Sequence, residues 1–269
     1  MSQDNNNLVA PDGSQIIKID FHIHTPVSRC YEDHMYPELN RHTQADDIVQ
    51  AAIYAGLDAI AITDHNSSAF IDSAQRSAKG TKLMVFPGME ITAQGCHMLA
   101  VFDPDTPLNW LDRFLSAIGF EDLDKRGDAY YSTEHPIDEV SRLVEDLGGL
   151  AIAAHVDREP RGFVASSFIG RDIKRRIHDS DHLSALEITD PRDKELWNLG
   201  QMRGYPKPYA CVQGSDAHAP IEVGRRPTFL KVPSPDLTNI RLAFKEYQQR
   251  VFFPDELEHI FQHQHTHPS

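Results

Sequence analysis

The sequence predicts an α/β chain whose mainly parallel sheet closes into a barrel, and three observations predict it. Strand-like apolar runs alternate with helical patterns almost throughout, the signature of βα units. Small residues precede a histidine in two of the runs: Ala59, Ala61 and Thr63 before His65, and Ala151 and Ala153 before His155. A packed barrel interior needs such small side chains. Six strand ends finish on residues that ligate metals. The C-terminal rim of parallel strands is where a barrel gathers its active groups.

The elements follow in order. The first strand ends in Ile19-Asp20-Phe21-His22-Ile23-His24-Thr25. Its period of two sends His22 and His24 to one side and Phe21 and Ile23 to the other, toward helices. Thr43 and Asp46 read as a capping box opening a helix over 48–55, which Gly56 stops. The strand 59–63 leads to Asp64 and His65, and a helix is expected around 70–79. A strand over 83–86 turns at Pro87-Gly88 into Met89-Glu90, and His97 opens the next apolar run. The helical, acidic stretch 104–147 is the longest gap between strands and is expected to form a lid or side wall. Strands over 149–155, 183–188, 209–216 and 228–232 complete the sheet, and a helix over 237–250 follows. One catalytic domain over 16–258 is thus expected, between a disordered N-terminal tail (1–15) and a His-rich C-terminal tail (259–269).

Composition bounds the function. A chain of 269 residues, 40% hydrophobic, can bury one good-sized core. The polar N-terminus has no secretory pattern, and no stretch reaches the roughly 18–20 apolar residues of a membrane span. Cys30, Cys96 and Cys211 are odd in number and lack C-x-x-C spacing, so buried free thiols in a reducing, cytoplasmic setting are expected. A formal charge of −14 argues against holding long nucleic acid by bulk electrostatics. There is no Walker A pattern, no G-x-G-x-x-G and no G-x-S-x-G, so ATPase, dinucleotide and serine-hydrolase chemistry are unsupported.

The candidate ligands are His22, His24, Asp33 or His34, His65, Glu90, His97, His155, Asp216 and His218. All donate nitrogen or oxygen, which suits Zn²⁺, Mn²⁺ or Fe²⁺. The set exceeds what one catalytic zinc takes, so two or three divalent ions sharing a carboxylate are expected. His22-Ile23-His24-Thr25, Thr63-Asp64-His65, Pro87-Gly88-Met89-Glu90, His97, Ala154-His155 and Gly214-Ser215-Asp216-Ala217-His218 resemble, in order, the motifs of the PHP (polymerase and histidinol phosphatase) superfamily of metal-dependent phosphoesterases. The resemblance runs from about residue 16 to 232 and implies a distorted seven-stranded (β/α) TIM-like barrel. It implies a first ion on His22, His24, Glu90 and Asp216. A second would be held by Glu90, His97 and His155, and a third by His65, His218 and a residue after His24, with Asp33 favoured.

The activity implied is attack on phosphorus by a metal-bridging hydroxide, with small phosphomonoesters or nucleotides as the favoured substrates. His218 is expected to assist the leaving group, and Asp64 to orient His65 through its ring. Arg158, Arg161 and Arg225 are candidate phosphate handles. The alternatives are a nuclease guided by the basic run Arg171, Lys174, Arg175 and Arg176, and a subunit active only with a partner ATPase. No membrane partner is expected.

Overall fold

The computed structural model describes residues 13–31 and 42–257. Strand β1 (Gln15–Ile23) is followed by α1 (Ala45–Tyr54), β2 (Ala59–Ile62), α2 (Ile71–Ala78) and β3 (Met84–Ala93). The chain continues through β4 (Cys96–Val101), α3 (Leu108–Ala117), α4 (Ile137–Asp146), β5 (Leu150–Ala153) and α5 (Arg171–Asp179). Then come β6 (Ala185–Glu187), α6 (Lys194–Asn198), β7 (Cys211–Val212), β8 (Thr228–Val232), α7 (Leu237–Lys245), α8 (Tyr247–Arg250) and β9 (Val251–Phe252).

Among the described residues these strands form one nearly closed, barrel-like sheet of nine, in the order β7-β6-β5-β4-β3-β2-β1-β8-β9. The architecture is α/β as expected, but the strand count and directions depart from a seven-stranded (β/α) repeat. β1, β2 and β3 pair in parallel, as do β5, β6 and β7, whereas β4 runs antiparallel to both of its neighbours. The cause is a two-residue hairpin. Ala93 pairs with Cys96, and Gln94 and Gly95 between them both have positive φ, the geometry that matches strand twist. β8 and β9 add an antiparallel flap beside β1. Among the described residues no regular strand pair closes the barrel. The segment after β7 does so instead: His24 N–H donates to Ala217 O at 2.9 Å, and the Ser215 hydroxyl to His22 O at 3.0 Å.

Pro87-Gly88 is not a turn. β3 runs straight through it, pairing with β2 up to Pro87 and with β4 from Gly88 onward. A Cβ on Gly88 would lie 2.9 Å from Ile62 O and 3.1 Å from Ala100 O, so glycine lets three backbones converge there. The helix cap also shifts by one residue: α1 starts after Gln44, whose N–H donates to Asp47 at 2.7 Å. The expected helix over 237–250 is broken into α7 and α8.

Two apolar clusters sort the strands' faces. One draws Ile17, Ile19, Phe21, Ala59, Ala61, Phe86, Leu99, Ile152, Val212 and Leu230 together inside the barrel. Leu237, Ile240 and Phe244 of α7 close its floor, with Phe244 5.9 Å from the Phe21 ring. The other lies between the strands and the outer helices, and includes Ile60, Ile62, Met89, Met98 and Leu186.

Two expectations about side-chain direction are corrected by these clusters. Phe21 and Ile23 do not share a face: Phe21 is inside and Ile23 is on the helix side. The register of β1 against β2 slips between Asp20 and Ile23, and that irregularity turns the alternation over. Ala151 and Ala153 likewise face the helices, not the interior. His155 reaches the barrel mouth because its own φ is +27°, a left-handed kink at the strand end.

Candidate metal centre

Glu90 is the hub of the mouth. Its carboxylate lies within 3.4 Å of five imidazoles: His22 Nε2 at 3.4 Å, His24 Nε2 at 3.2 Å, His65 Nδ1 and His97 Nδ1 at 2.9 Å, and His155 Nε2 at 3.0 Å. They come from four strand ends, His22 and His24 together from that of β1. β4 delivers His97 from its beginning, because an antiparallel strand starts at the end where the parallel ones finish. Asp216, at φ +50° in the closing segment, brings Oδ1 to 3.4 Å from His22 Nε2 and 3.2 Å from His24 Nε2. His218 places its ring centroid 4.3 Å from that of His24. The structure therefore brings together His22, His24, His65, Glu90, His97, His155, Asp216 and His218. Asp33 and His34 lie outside the described residues, as do the histidines of the C-terminal tail.

The rings are aimed by partners behind them. His22 Nδ1 donates to Glu187 at 3.0 Å, and His24 Nδ1 faces Ser28 Oγ at 3.0 Å. His97 Nε2 donates to Ala129 O at 3.3 Å. Fixing the outer nitrogen turns the inner one toward the shared carboxylates. Asp64 is used differently from the expectation. It accepts from Thr25 N–H at 2.8 Å, the Thr25 hydroxyl at 2.6 Å and the Ser28 hydroxyl at 2.6 Å, so it reaches His24 through Ser28 rather than His65. Glu187, which carries no expected role, holds both His22 and the His155 N–H, the latter at 2.8 Å. Its signal in the sequence was only its place at a strand end.

Electrostatics favour cations here. Burial alone would raise the Glu90 carboxyl, but His97, His22 and His65 outweigh it and hold it well below the usual range. The same contest, won by His22, His24 and Arg158, keeps Asp216 ionised. Burial works against a charged His24, yet its bonds to Asp216 and Glu90 push it up to about 9. For His65 burial wins over Glu90, leaving it neutral with a pKa of about 4.

The buried nitrogens His65 Nδ1 and His97 Nδ1 sit 2.9 Å from Glu90 oxygens without making a hydrogen bond. Buried imidazole nitrogens gathered on one carboxylate outside hydrogen-bond geometry fit a donor set for divalent metal. Three groups of donors lie within ligating reach of one another: His22, His24 and Glu90; His65, Glu90 and His97; and His24, His65 and His218.

A cavity of about 160 Å³ opens above this centre, lined by His97, His155, Arg158, Arg161, Tyr130 and His218 among others. Arg158 ion-pairs with Asp216 Oδ2, and Arg161 lies 5.2 Å from the Tyr130 ring while bonding Gly95 O at 3.2 Å. Arg225 does not line the cavity. Its guanidinium is committed to Glu222 at 2.7 Å and Ser215 O at 2.9 Å, so its expected place as a phosphate handle is corrected. The segment between α3 and α4 walls the cavity: Gly127 N–H donates to His65 O at 2.8 Å and Asn66 Nδ2 to Asp128 O at 2.9 Å.

No family model matches the chain. It is 23% identical over 259 residues to the uncharacterized protein YqxK of Bacillus subtilis, covering 87% of this chain and 63% of that one. The lesion-specific endonuclease EndoQ of Pyrococcus furiosus superposes on 88% of this chain and 57% of its own, with TM-score 0.65 and 16% identity. The chain thus spans less than two thirds of the length of either relative. A two-domain protein of Bacteroides vulgatus containing a predicted PHP-like metal-dependent phosphoesterase matches 91% of this chain and 67% of its own, at TM-score 0.57 and 19% identity. At such identities the likeness is one of fold, and the fold of this chain is that of the PHP-like metal-dependent phosphoesterases.

Proposed function

We propose that this chain hydrolyses phosphate esters with two or three divalent metal ions held around Glu90. The observation that carries the reading is one buried carboxylate in contact with five imidazoles, beneath a mouth bearing Arg158 and Arg161. His22, His24, Glu90 and Asp216 would hold one ion, Glu90, His97 and His155 a second, and His65 with His218 a third. Divalent ions supply an activated water and neutralise charge on phosphoryl oxygens. Glu187 and Ser28 keep His22 and His24 pointing inward. Arg158, half exposed and hinged on Asp216, can fork onto a phosphoryl oxygen entering the mouth. With His218 in the third donor group, we assign it to ligation rather than to protonating the leaving group.

The favoured substrates are small phosphomonoesters or nucleotides. A cavity of about 160 Å³ admits a phosphoryl group and little more, and the chain is acidic at −14. The basic run on α5 is partly spent: Lys174 Nζ bonds Val164 O at 2.7 Å and Arg176 pairs with Asp138 at 3.3 Å. A second reading, cleavage of nucleic-acid diesters, draws on the exposed Tyr130 at the mouth, a stacking surface for a base, and on a fold relative described as a lesion-specific endonuclease.

The test compares p-nitrophenyl phosphate with its bis-ester on Mn²⁺- or Zn²⁺-loaded protein, using Asp216→Asn as blank. Turnover of the monoester, lost in the variant, supports the first reading. Preference for the bis-ester supports the second. Activity that survives in Asp216→Asn rejects the metal centre. Silence on both substrates moves the proposal to a subunit that needs a partner.

A further inference from the structure

The described part of the loop after β1 brings the thiol of Cys30 to His218 of the third donor group. We propose that Cys30 is a thiolate ligand, giving the third position, with His65 and His218, a sulfur-containing donor set that selects zinc, cobalt or ferrous iron over manganese. The inference rests on the metal-centre reading above and concerns this chain's own choice of ligand.

The loop after β1 is pinned where it must be. Asp64 accepts from Thr25 and Ser28, and Tyr31 N–H donates to Ser28 O at 2.9 Å, winding residues 29–31 into a single 3-10 turn. The buried Tyr31 ring stacks on His218 with centroids 6.3 Å apart. The turn delivers Cys30 Sγ to 3.1 Å from His218 Nε2, and the sulfur lines the same mouth as His65, Glu90 and Asp216. Sulfur and nitrogen on one tetrahedral zinc, with bonds of about 2.3 and 2.0 Å, lie about 3.5 Å apart. The observed separation needs only a few tenths of an ångström of adjustment.

A second observation points to a ligand independently of the cysteine. His65, His24 and His218 place donor atoms within 4.8 Å of one another, and His65 is only 4% exposed, its buried Nδ1 outside hydrogen-bond geometry although 2.9 Å from Glu90 Oε2. The other two thiols are unlike Cys30. Cys96 and Cys211 are fully buried among apolar side chains in the cluster between the barrel wall and the helices. A soft thiolate discriminates where nitrogen and oxygen donors do not, since manganese and magnesium prefer oxygen.

Cobalt(II) titration of the full chain tests this, because a thiolate on cobalt gives a sulfur-to-metal charge-transfer band in the near ultraviolet. The band is expected to appear with one cobalt equivalent and to vanish in Cys30→Ser, while persisting in Cys96→Ser and Cys211→Ser. Cys30→His is expected to retain the cobalt equivalent without the band. The tail histidines carry no sulfur and cannot produce it. Cobalt bound with visible ligand-field bands but no charge-transfer band overturns the Cys30 assignment and leaves the metal centre standing. A band that survives in Cys30→Ser overturns it too. Failure to bind cobalt at all overturns both.

Discussion

Glu187 and His22 form a buried carboxylate–imidazole pair, with both carboxylate oxygens within 3.1 Å of Nδ1 and neither residue more than 2% exposed. The pair fixes the tautomer that leaves Nε2 free to face Glu90 and Asp216. Burial would raise the Glu187 carboxyl, but His22 and then His155 hold it below its ordinary value, so it acts as a full charge. Glu187→Gln keeps the shape and removes that charge. Zinc affinity, read by competition with a chromophoric chelator, is expected to fall about 10–100-fold, as for other partners behind metal-bound histidines. Unchanged affinity would reduce Glu187 to a packing residue.

Gly214 leaves no room for a side chain. A Cβ there would stand 2.5 Å from Glu187 Oε1 and 2.6 Å from His22 Cβ, so Gly214→Ala must push apart the pair just described. A loss of about 1–3 kcal/mol in urea unfolding is expected from overpacking, together with weaker metal binding. Wild-type stability in the variant would mean that the strand end can shift without cost.

Divalent metal is expected to stabilise the fold because the donors converge only when folded. At 100 times Kd the gain is about 2.7 kcal/mol, which for a domain of this size raises Tm by roughly 5–10 °C. Differential scanning fluorimetry with Zn²⁺, reversed by EDTA, measures it. Asp216→Asn is expected to lose most of the shift.

Arg158 competes with the metal for Asp216, since its guanidinium already neutralises Oδ2. Arg158→Gln is expected to load metal at least as tightly as wild type yet to raise KM for a phosphate ester by several-fold. Equal KM would place the phosphate handle elsewhere, with Arg161 next in line.

A pH effect follows far from the mouth. His178 is buried beside Trp197, Tyr205 and Tyr209, accepts the Lys207 N–H at 2.9 Å, and is pushed down to about 4, chiefly by burial. Between that value and about 6.5 the unfolded chain binds the proton that the folded one refuses, so stability rises with pH across the window. It is lost as the pH falls from 6.5 toward 4. Urea midpoints of metal-free protein should therefore drop less steeply over this range in His178→Gln than in wild type.

The ligands were legible because metal chemistry restricts residue type, and strand ends restrict place. His22, His24, His65, Glu90, His97, His155, Asp216 and His218 all meet at one mouth. What stayed hidden depends on single dihedrals. The reversal of β4 turns on positive φ at Gln94 and Gly95, and the outward turn of Ala151 and Ala153 is undone by the φ of His155 alone. A count of alternating residues cannot see a slip in register, so Phe21 and Ile23 were placed on one face. The supporting partners Glu187 and Ser28 were obscure for another reason. Hydrogen bonds behind a ligand come from side chains distant in sequence, 165 residues away in the case of Glu187.

The slip in β1 between Asp20 and Ile23 has a consequence for how such a protein can change. Below it the strand serves the greasy floor with Ile17, Ile19 and Phe21, and above it the mouth with His22 and His24. One misaligned step uncouples the two tasks. Substitutions beneath it can retune thermal tolerance without moving a ligand, and a new chemistry can be tried above it on an unaltered foundation.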